Sequence, residues 1–171
     1  MILRPAAAPD LSAIHAIYSH HVLHGLASFE EVPPALEEIG RRHADIIAMD
    51  LPYLVAEEAG VVLGYGYCSL YRSRSAYRYT LEDSIYVRQG MQGKGTGKAL
   101  LGELIRICER LDYRQMVAVI GDSANAASIG LHASLGFLRV GTLRSTGFKF
   151  GRWVDSMLMQ RPLGEGDGGI P

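Results

Sequence analysis

Ile85-Tyr86-Val87-Arg88-Gln89-Gly90-Met91-Gln92-Gly93-Lys94-Gly95-Thr96-Gly97-Lys98-Ala99-Leu100-Leu101 carries a β-rich run into a glycine-dense loop that opens a helix. Glycine lets main-chain N–H groups come close to an anion. The first turn of a helix leaves N–H donors without partners, and the helix dipole favours negative charge there. The stretch therefore reads as a pyrophosphate seat, with Arg88, Lys94 and Lys98 adding positive charge nearby. A glycine-rich helix start without a ligand is the plainer alternative for the loop taken alone.

Spacing separates the phosphate loops that could be meant. A Walker loop needs Gly-x-x-x-x-Gly-Lys-Ser/Thr, but counting back from Gly97-Lys98 reaches Gln92, and Ala99 stands where the magnesium-binding hydroxyl belongs. A dinucleotide fold needs Gly-x-Gly-x-x-Gly; here Gly93-x-Gly95 is followed by Lys98, and Gly95-x-Gly97 by Leu100. Both patterns fail, leaving Gln92-x-x-Gly95-x-Gly97.

A chain of 171 residues, 48% of them hydrophobic, can bury the core of one domain. We expect that domain over residues 1–163, with an acidic, glycine-rich flexible tail over 164–171. The formal net charge of -1 provides no global basic field for nucleic acid or an anionic membrane, so anion recognition must be local. The N-terminus lacks a basic segment followed by an apolar signal core, and no apolar run is long enough to cross a bilayer; a cytoplasmic protein is expected. Cys68 and Cys108 stand among apolar neighbours without metal-ligand spacing, which suggests buried thiols. His15, His20, His21 and His24 fall on or beside one amphipathic helix with no Cys/Asp ligand pattern, so no metal site is expected.

Apolar spacing through Leu11, Ile14, Ile17, Tyr18 and Val22 predicts a first helix N-capped by Asp10, and a second follows Pro33-Pro34 to about Met49. Residues 25–32 form a loop between them. Tyr53 to Glu57 and Val61 to Leu70 read as a hairpin turning at Glu58-Ala59-Gly60, and a third strand spans about Tyr79 to Val87. After the glycine loop, a helix turns Leu100, Leu101, Leu104, Ile105, Cys108 and Leu111 to the core. A strand at Met116–Ile120, a helix from Asn125 to a left-handed Gly136, and strands at Leu138–Leu143 and Val154–Gln160 complete the order. This succession predicts an α/β (α+β) fold, a mixed sheet with helices on both faces and the ligand at its middle.

Gln92-x-x-Gly95-x-Gly97 resembles the Gln/Arg-x-x-Gly-x-Gly/Ala signature of the GNAT superfamily of N-acetyltransferases, and residues 125–137 resemble that superfamily's second cofactor-contact region. More narrowly, residues 79–87 and 147–155 are similar to phosphinothricin and methionine sulfoximine N-acetyltransferases. The likeness extends to Pro162. It implies a largely antiparallel GNAT-type sheet, acetyl-CoA as co-substrate, a small amino acid substrate and a homodimer. It further implies that Gln92, Gly93, Lys94, Gly95, Thr96, Gly97 and Lys98 hold the pyrophosphate, with Tyr86 and Val87 beside the pantetheine arm and the Val87 N–H polarising the thioester carbonyl.

An alkyl ammonium has a pKa near that of lysine, about 10, so transfer at neutral pH needs a base or a water path. Glu82 occupies the position of the glutamate proposed as base in the resembling enzymes, and alternation puts it on one face with Ser84 and Tyr86. A pairing with a cleft arginine is the alternative reading. Asp83, on the other face, is expected to anchor backbone or a neighbouring side chain. His132 stands where many superfamily members have a tyrosine and phosphinothricin-type sequences have histidine; chemistry and helix packing both remain open. Asn125 can cap its helix and contact the cofactor. Neither cysteine lies in a nucleophile motif, which favours direct transfer in a ternary complex.

Tyr71-Arg72-Ser73-Arg74-Ser75-Ala76-Tyr77-Arg78 concentrates guanidinium groups suited to carboxylate, phosphinate or sulfoximine oxygens, and Arg72, Arg74 and Tyr77 match the substrate segment of the resembling enzymes. Phe29 and Glu30 are expected at the amine end of the pocket, and Lys149, Phe150 and Trp153 as a lid or subunit contact. A peptide or protein N-terminal acetyltransferase and a non-catalytic CoA-binding regulatory module are the competing readings.

Overall fold

The computed structural model describes residues 1–170. Along the chain come β1 (Ile2–Pro5), a 3-10 turn (Ala8–Asp10), α1 (Leu11–His24), α2 (Leu36–Ile47), β2 (Tyr53–Glu58), β3 (Val61–Leu70) and a second 3-10 turn (Ser75–Tyr77). Then follow β4 (Thr80–Val87), α3 (Thr96–Arg110), β5 (Gln115–Gly121), α4 (Ala126–Ala133), β6 (Leu138–Lys149) and β7 (Arg152–Pro162). The strands form one seven-stranded sheet in the order β1-β2-β3-β4-β5-β7-β6. Among the described residues only β4 and β5 run parallel, the pair joined through α3; the other neighbours are antiparallel.

Period-two alternation along β4 sends Leu81, Asp83 and Ile85 to one face and Glu82, Ser84 and Tyr86 to the other. α3 packs on the first face so closely that a Cβ on Gly66 would lie 2.6 Å from Ile85 Cδ1 and 3.2 Å from Leu104 Cδ1. α1 lies over the second face, where Tyr18 meets Tyr86 edge-on at 5.2 Å. Tyr53 and Tyr67 stack at 4.9 Å, and Tyr65 and Tyr86 at 5.2 Å, so a layer of tyrosines fills that side. Fully buried Ile14, Val22, Val55, Leu81, Leu100, Leu101, Leu104, Met116 and Met159 make the core, each stabilising the fold by about 1.5–3 kcal/mol through burial.

Several local expectations are corrected. The first element is a strand, β1, whose Leu3 and Arg4 pair with Ala56 and Val55; four residues are too few to show a period. Asp10 occupies the N-cap position of α1 as expected, but its side chain does not bond the helix: it accepts the Ala7 N–H at 2.8 Å and a two-pronged contact from Arg4 at 2.7 and 2.8 Å, closing the 3-10 turn instead. Leu111 is exposed, since α3 ends at Arg110 before the next inward position. β6 and β7 are longer than expected and meet through Phe150-Gly151, with φ of 51° and 72°. That is the same doubly left-handed two-residue turn as Ala59-Gly60, at 50° and 78°. Phenylalanine is an unusual residue for such a turn, which hides it in the sequence. Beyond β7, the Gly166 N–H donates to the Leu163 carbonyl at 2.8 Å. Position 171, the end of the expected tail, lies outside the described residues.

Candidate active site

β4 and β5 pair only from Thr80–Gln115 to Asp83–Ala118, although β4 continues to Val87 and β5 to Gly121. Past Asp83 the two strands part, leaving a wedge with Asp83 at its apex. The Arg88 N–H donates to the Leu63 carbonyl at 2.8 Å, so alternation turns the Val87 N–H and carbonyl away from β3, toward the wedge. His21, reaching over from α1, donates through Nε2 to that Val87 carbonyl at 2.9 Å. Nothing in the sequence pointed to this tie, because the two residues are brought together only by packing.

At the wide end of the wedge, Gly93 and Gly95 adopt φ of 76° and 86°, and Gly95 is the residue from which α3 starts. Gly97 serves a different need: its Cβ would lie 3.2 Å from Leu131 Cδ2, so it lets α3 approach α4. Helix geometry leaves the N–H groups of Thr96, Gly97 and Lys98 without intrahelical acceptors. Gln92 shapes the loop by accepting the Gly90 N–H on Oε1 at 2.8 Å. Lys94 and Lys98 are exposed beside these amides. Arg88 is anchored by its Nε, which donates to the Val62 carbonyl at 2.7 Å.

The wedge opens into a cleft of about 240 Å³ lined by Phe29, Glu82, Asp83, Tyr86, Asn125 and His132, among others. Burial raises the Glu82 carboxyl above its ordinary value and the Asp83 charge adds to the rise, while Arg72 works against it. Asn125 caps α4 by accepting the Ser128 N–H on Oδ1 at 3.1 Å, and it faces the cleft as well. His132 is buried; Nδ1 donates to the Ser128 carbonyl at 2.7 Å and Nε2 lies 3.0 Å from Asp83 Oδ2. Burial alone would lower its pKa, but the Asp83 hydrogen bond and charge, with the Ser128 carbonyl, raise it overall. Asp83 therefore anchors a side chain, and that side chain is His132.

The remaining residues expected at the site are more scattered. Phe29 lines the cleft with its ring pressed on Gly147, where a Cβ would stand 2.5 Å away. Glu30, absent from the lining, is held by Arg42 at 2.7 Å. Arg72 and Arg74 are exposed, Arg72 lying 4.9 Å over the Tyr71 ring. Tyr77 lines a separate groove of about 210 Å³ with Tyr71, Thr80, Gln115, Val117 and Leu158. Lys149 is neither lid nor subunit contact: it is 1% exposed and donates from Nζ to the Ser28 carbonyl at 2.7 Å, latching the 25–32 loop to β6. Phe150 and Trp153 do remain on the surface.

A strand broken from its parallel neighbour beside an amide-rich helix start is an architecture shared with a known family. The sequence model of that family, described as an acetyltransferase (GNAT) domain, matches residues 3–158. The chain belongs to the GNAT acetyltransferase family. Among GNAT relatives, a phosphinothricin N-acetyltransferase of Alcaligenes faecalis is 56% identical over 162 residues, covering 95% of this chain and 82% of that protein. An L-methionine sulfoximine/L-methionine sulfone acetyltransferase of Salmonella typhimurium is 42% identical over 165 residues, 96% of each chain. The crystal structure of a GNAT superfamily phosphinothricin acetyltransferase from Sinorhizobium meliloti, in complex with AcCoA, superimposes with a TM-score of 0.96 at 50% identity, covering 99% of this chain and 92% of that one. The GNAT sheet, mixed and largely antiparallel with helices on both faces, is thus the fold expected from the sequence. Among the described residues, no helix is long and apolar enough to cross a membrane.

Proposed function

We propose that this protein transfers the acetyl group of acetyl-CoA to the α-amino group of a small polar or anionic amino acid analogue, with phosphinothricin, methionine sulfoximine and methionine sulfone as leading substrates. Transfer is direct, within a ternary complex. The observation that carries the reading is the wedge between β4 and β5, where a half-buried carboxylate with a raised pKa shares one cleft with strand amides unpaired past Asp83. The residues suit acetyl-CoA: free amides at Thr96–Lys98 answer a pyrophosphate, and the unpaired edge of β4 offers strand-type hydrogen bonds to an extended amide-bearing arm. The names of the relatives support the substrate class.

When bound, acetyl-CoA supplies an activated acyl group; the rest is the work of this chain. Glu82 accepts the amine proton, directly or through water, its raised pKa moving it toward the working range of a base. The Val87 N–H stabilises the oxyanion that develops on the carbonyl oxygen. Arg72, with Arg74, attracts the anionic group of the substrate, and Phe29 walls the amine end. His132 lines the cleft from α4. The uncovered face of β5, β7 and β6, with Leu138 and Val140 72% and 60% exposed, supports assembly as a homodimer, which we place in the cytoplasm.

Acetyl-CoA-dependent thiol release over a panel of amino acids, sulfoximines and peptides tests the proposal. Release is expected with methionine sulfoximine or phosphinothricin. Release with peptides alone would make the protein an N-terminal acetyltransferase, and tight CoA binding without release from any amine would make it a regulatory module. Arg72→Ala should raise KM for anionic amino acids more than for a neutral amine; an equal change for both would remove Arg72 from recognition.

A further inference from the structure

The apex of the wedge brings two ionisable side chains, Asp83 and His132, into contact. Asp83 is the last β4 residue paired with β5, and its side chain is 1% exposed. Oδ2 lies 3.0 Å from His132 Nε2, whereas Oδ1 is buried with no hydrogen-bond partner among the described residues. His132 has an acceptor oxygen at each ring nitrogen, the Ser128 carbonyl at Nδ1 and the Asp83 carboxylate at Nε2. A neutral imidazole has one N–H and can satisfy only one of them; an imidazolium satisfies both. Because no described residue donates to Oδ1, the imidazolium is the main compensation for burying the carboxylate.

Besides these acceptors, the Ser128 hydroxyl lies 3.5 Å from Nδ1, well beyond the 2.7 Å of the carbonyl. Phe137 meets it edge-on at 5.0 Å. Glu82, next along β4, points to the opposite face. Behind Asp83, Cys68 stands directly across on β3 and lies 3.6 Å from Cys108 of α3. The Cys68 thiol is pushed well up by the Cys108 contact and by burial, so it stays uncharged.

We propose that Asp83 is a positioning residue for acetyl transfer: it fixes the His132 ring as an imidazolium at the apex of the cleft, where the positive charge stabilises the departing thiolate. This rests on the acetyltransferase reading above. As the amine nitrogen bonds to the acetyl carbon, the C–S bond breaks and its electron pair leaves on sulfur, while the surplus amine proton passes to Glu82. No proton leaves His132, since acceptors hold both of its N–H groups; the ring acts through charge. Asp83, its side chain 1% exposed, acts through His132.

The ring's charge can be read without turnover. In the unsubstituted protein, ¹⁵N and Cε1–H resonances should report His132 doubly protonated at neutral pH. In Asp83→Asn the titration midpoint should fall by about one unit or more. With acetyl-CoA and methionine sulfoximine, Asp83→Asn should lower kcat about tenfold while calorimetric acetyl-CoA affinity stays within about twofold. Its kcat should also decline at lower pH on the alkaline side, a shift that a packing role would not produce. Combined with His132→Gln, Asp83→Asn should cost nothing further. A neutral His132 in the unsubstituted protein overturns the inference even if Asp83→Asn does not fold, as does an unshifted midpoint in a folded Asp83→Asn. A normal wild-type rate with either result sinks this inference alone; absence of acetyl transfer to every amine sinks it together with the reading beneath it.

Discussion

Glu82 combines two opposed demands in one side chain. The burial that lifts its pKa toward a useful range also makes its charged form costly to the fold. A carboxyl whose folded pKa is raised binds its proton more tightly folded than unfolded, so it favours the folded state at low pH. That contribution is lost as pH rises from the unfolded through the folded pKa. Glu82→Gln should therefore raise Tm slightly at neutral pH while lowering kcat by about 10²–10⁴ with acetyl-CoA affinity kept. Activity of the unsubstituted protein should decline, as pH falls, at a higher pH than an ordinary glutamate would dictate; a pH–rate series with matched thermal melts checks both signs. Gly95 makes the complementary case of backbone demand. No atom of the described residues lies within 4 Å of its would-be Cβ, but φ is 86°, so a side chain is excluded by conformation rather than by space. Gly95→Val should abolish acetyl-CoA binding by calorimetry, whereas Gly95→Asn, which tolerates the left-handed region, should retain a measurable part.

Between elements, the 25–32 loop illustrates how a buried cation can serve a site without touching it. Burial lowers the Lys149 pKa against the opposing pull of Glu31 and Glu30, and its ammonium is committed to the Ser28 carbonyl. Phe29, one residue on, is thereby held over Gly147 at the cleft. Lys149→Met keeps the length of the stem but leaves the Ser28 carbonyl without its donor, at a cost of about 1–3 kcal/mol. We expect a lower Tm and a raised KM for the amine with KM for acetyl-CoA unchanged; equal changes in both would show that the loop does not belong to the amine end. α4 couples its two functions in the same manner, because the Asn125 cap that starts the helix also fixes the height at which His132 meets Asp83.

Across the whole molecule, the helices cover the two faces unequally. α1 lies over β3 and β4 on the Glu82 side, while Val119, Leu138, Val140 and Leu143 leave β5, β7 and β6 with exposed apolar residues. Val140→Lys should shift a dimer toward monomer in sedimentation velocity and, if the amine site adjoins the interface, raise KM for the amine. An unchanged sedimentation coefficient would place the interface elsewhere. At this scale the groove lined by Tyr71 and Tyr77 also finds its setting, since it borders the same uncovered face. Of the arginine segment, Tyr71 and Tyr77 line this groove, and Arg72 acts on Glu82 by charge.

Local chemistry was legible in the chain itself: the helix of Ile14, Ile17, Tyr18 and Val22, the glycine loop and its spacing, the alternation that separates Glu82 from Asp83, and the cap at Asn125. Each depends on residues a few positions apart, where backbone geometry alone fixes which side chains share a face. Partnerships over long separations were not legible. The parting of β4 from β5, the grip of His21 on the Val87 carbonyl, the union of Asp83 with His132 across 49 positions and the burial of Lys149 under Ser28 follow from strand order and helix placement. Those are chosen by the global burial of apolar surface, which no single window of sequence contains.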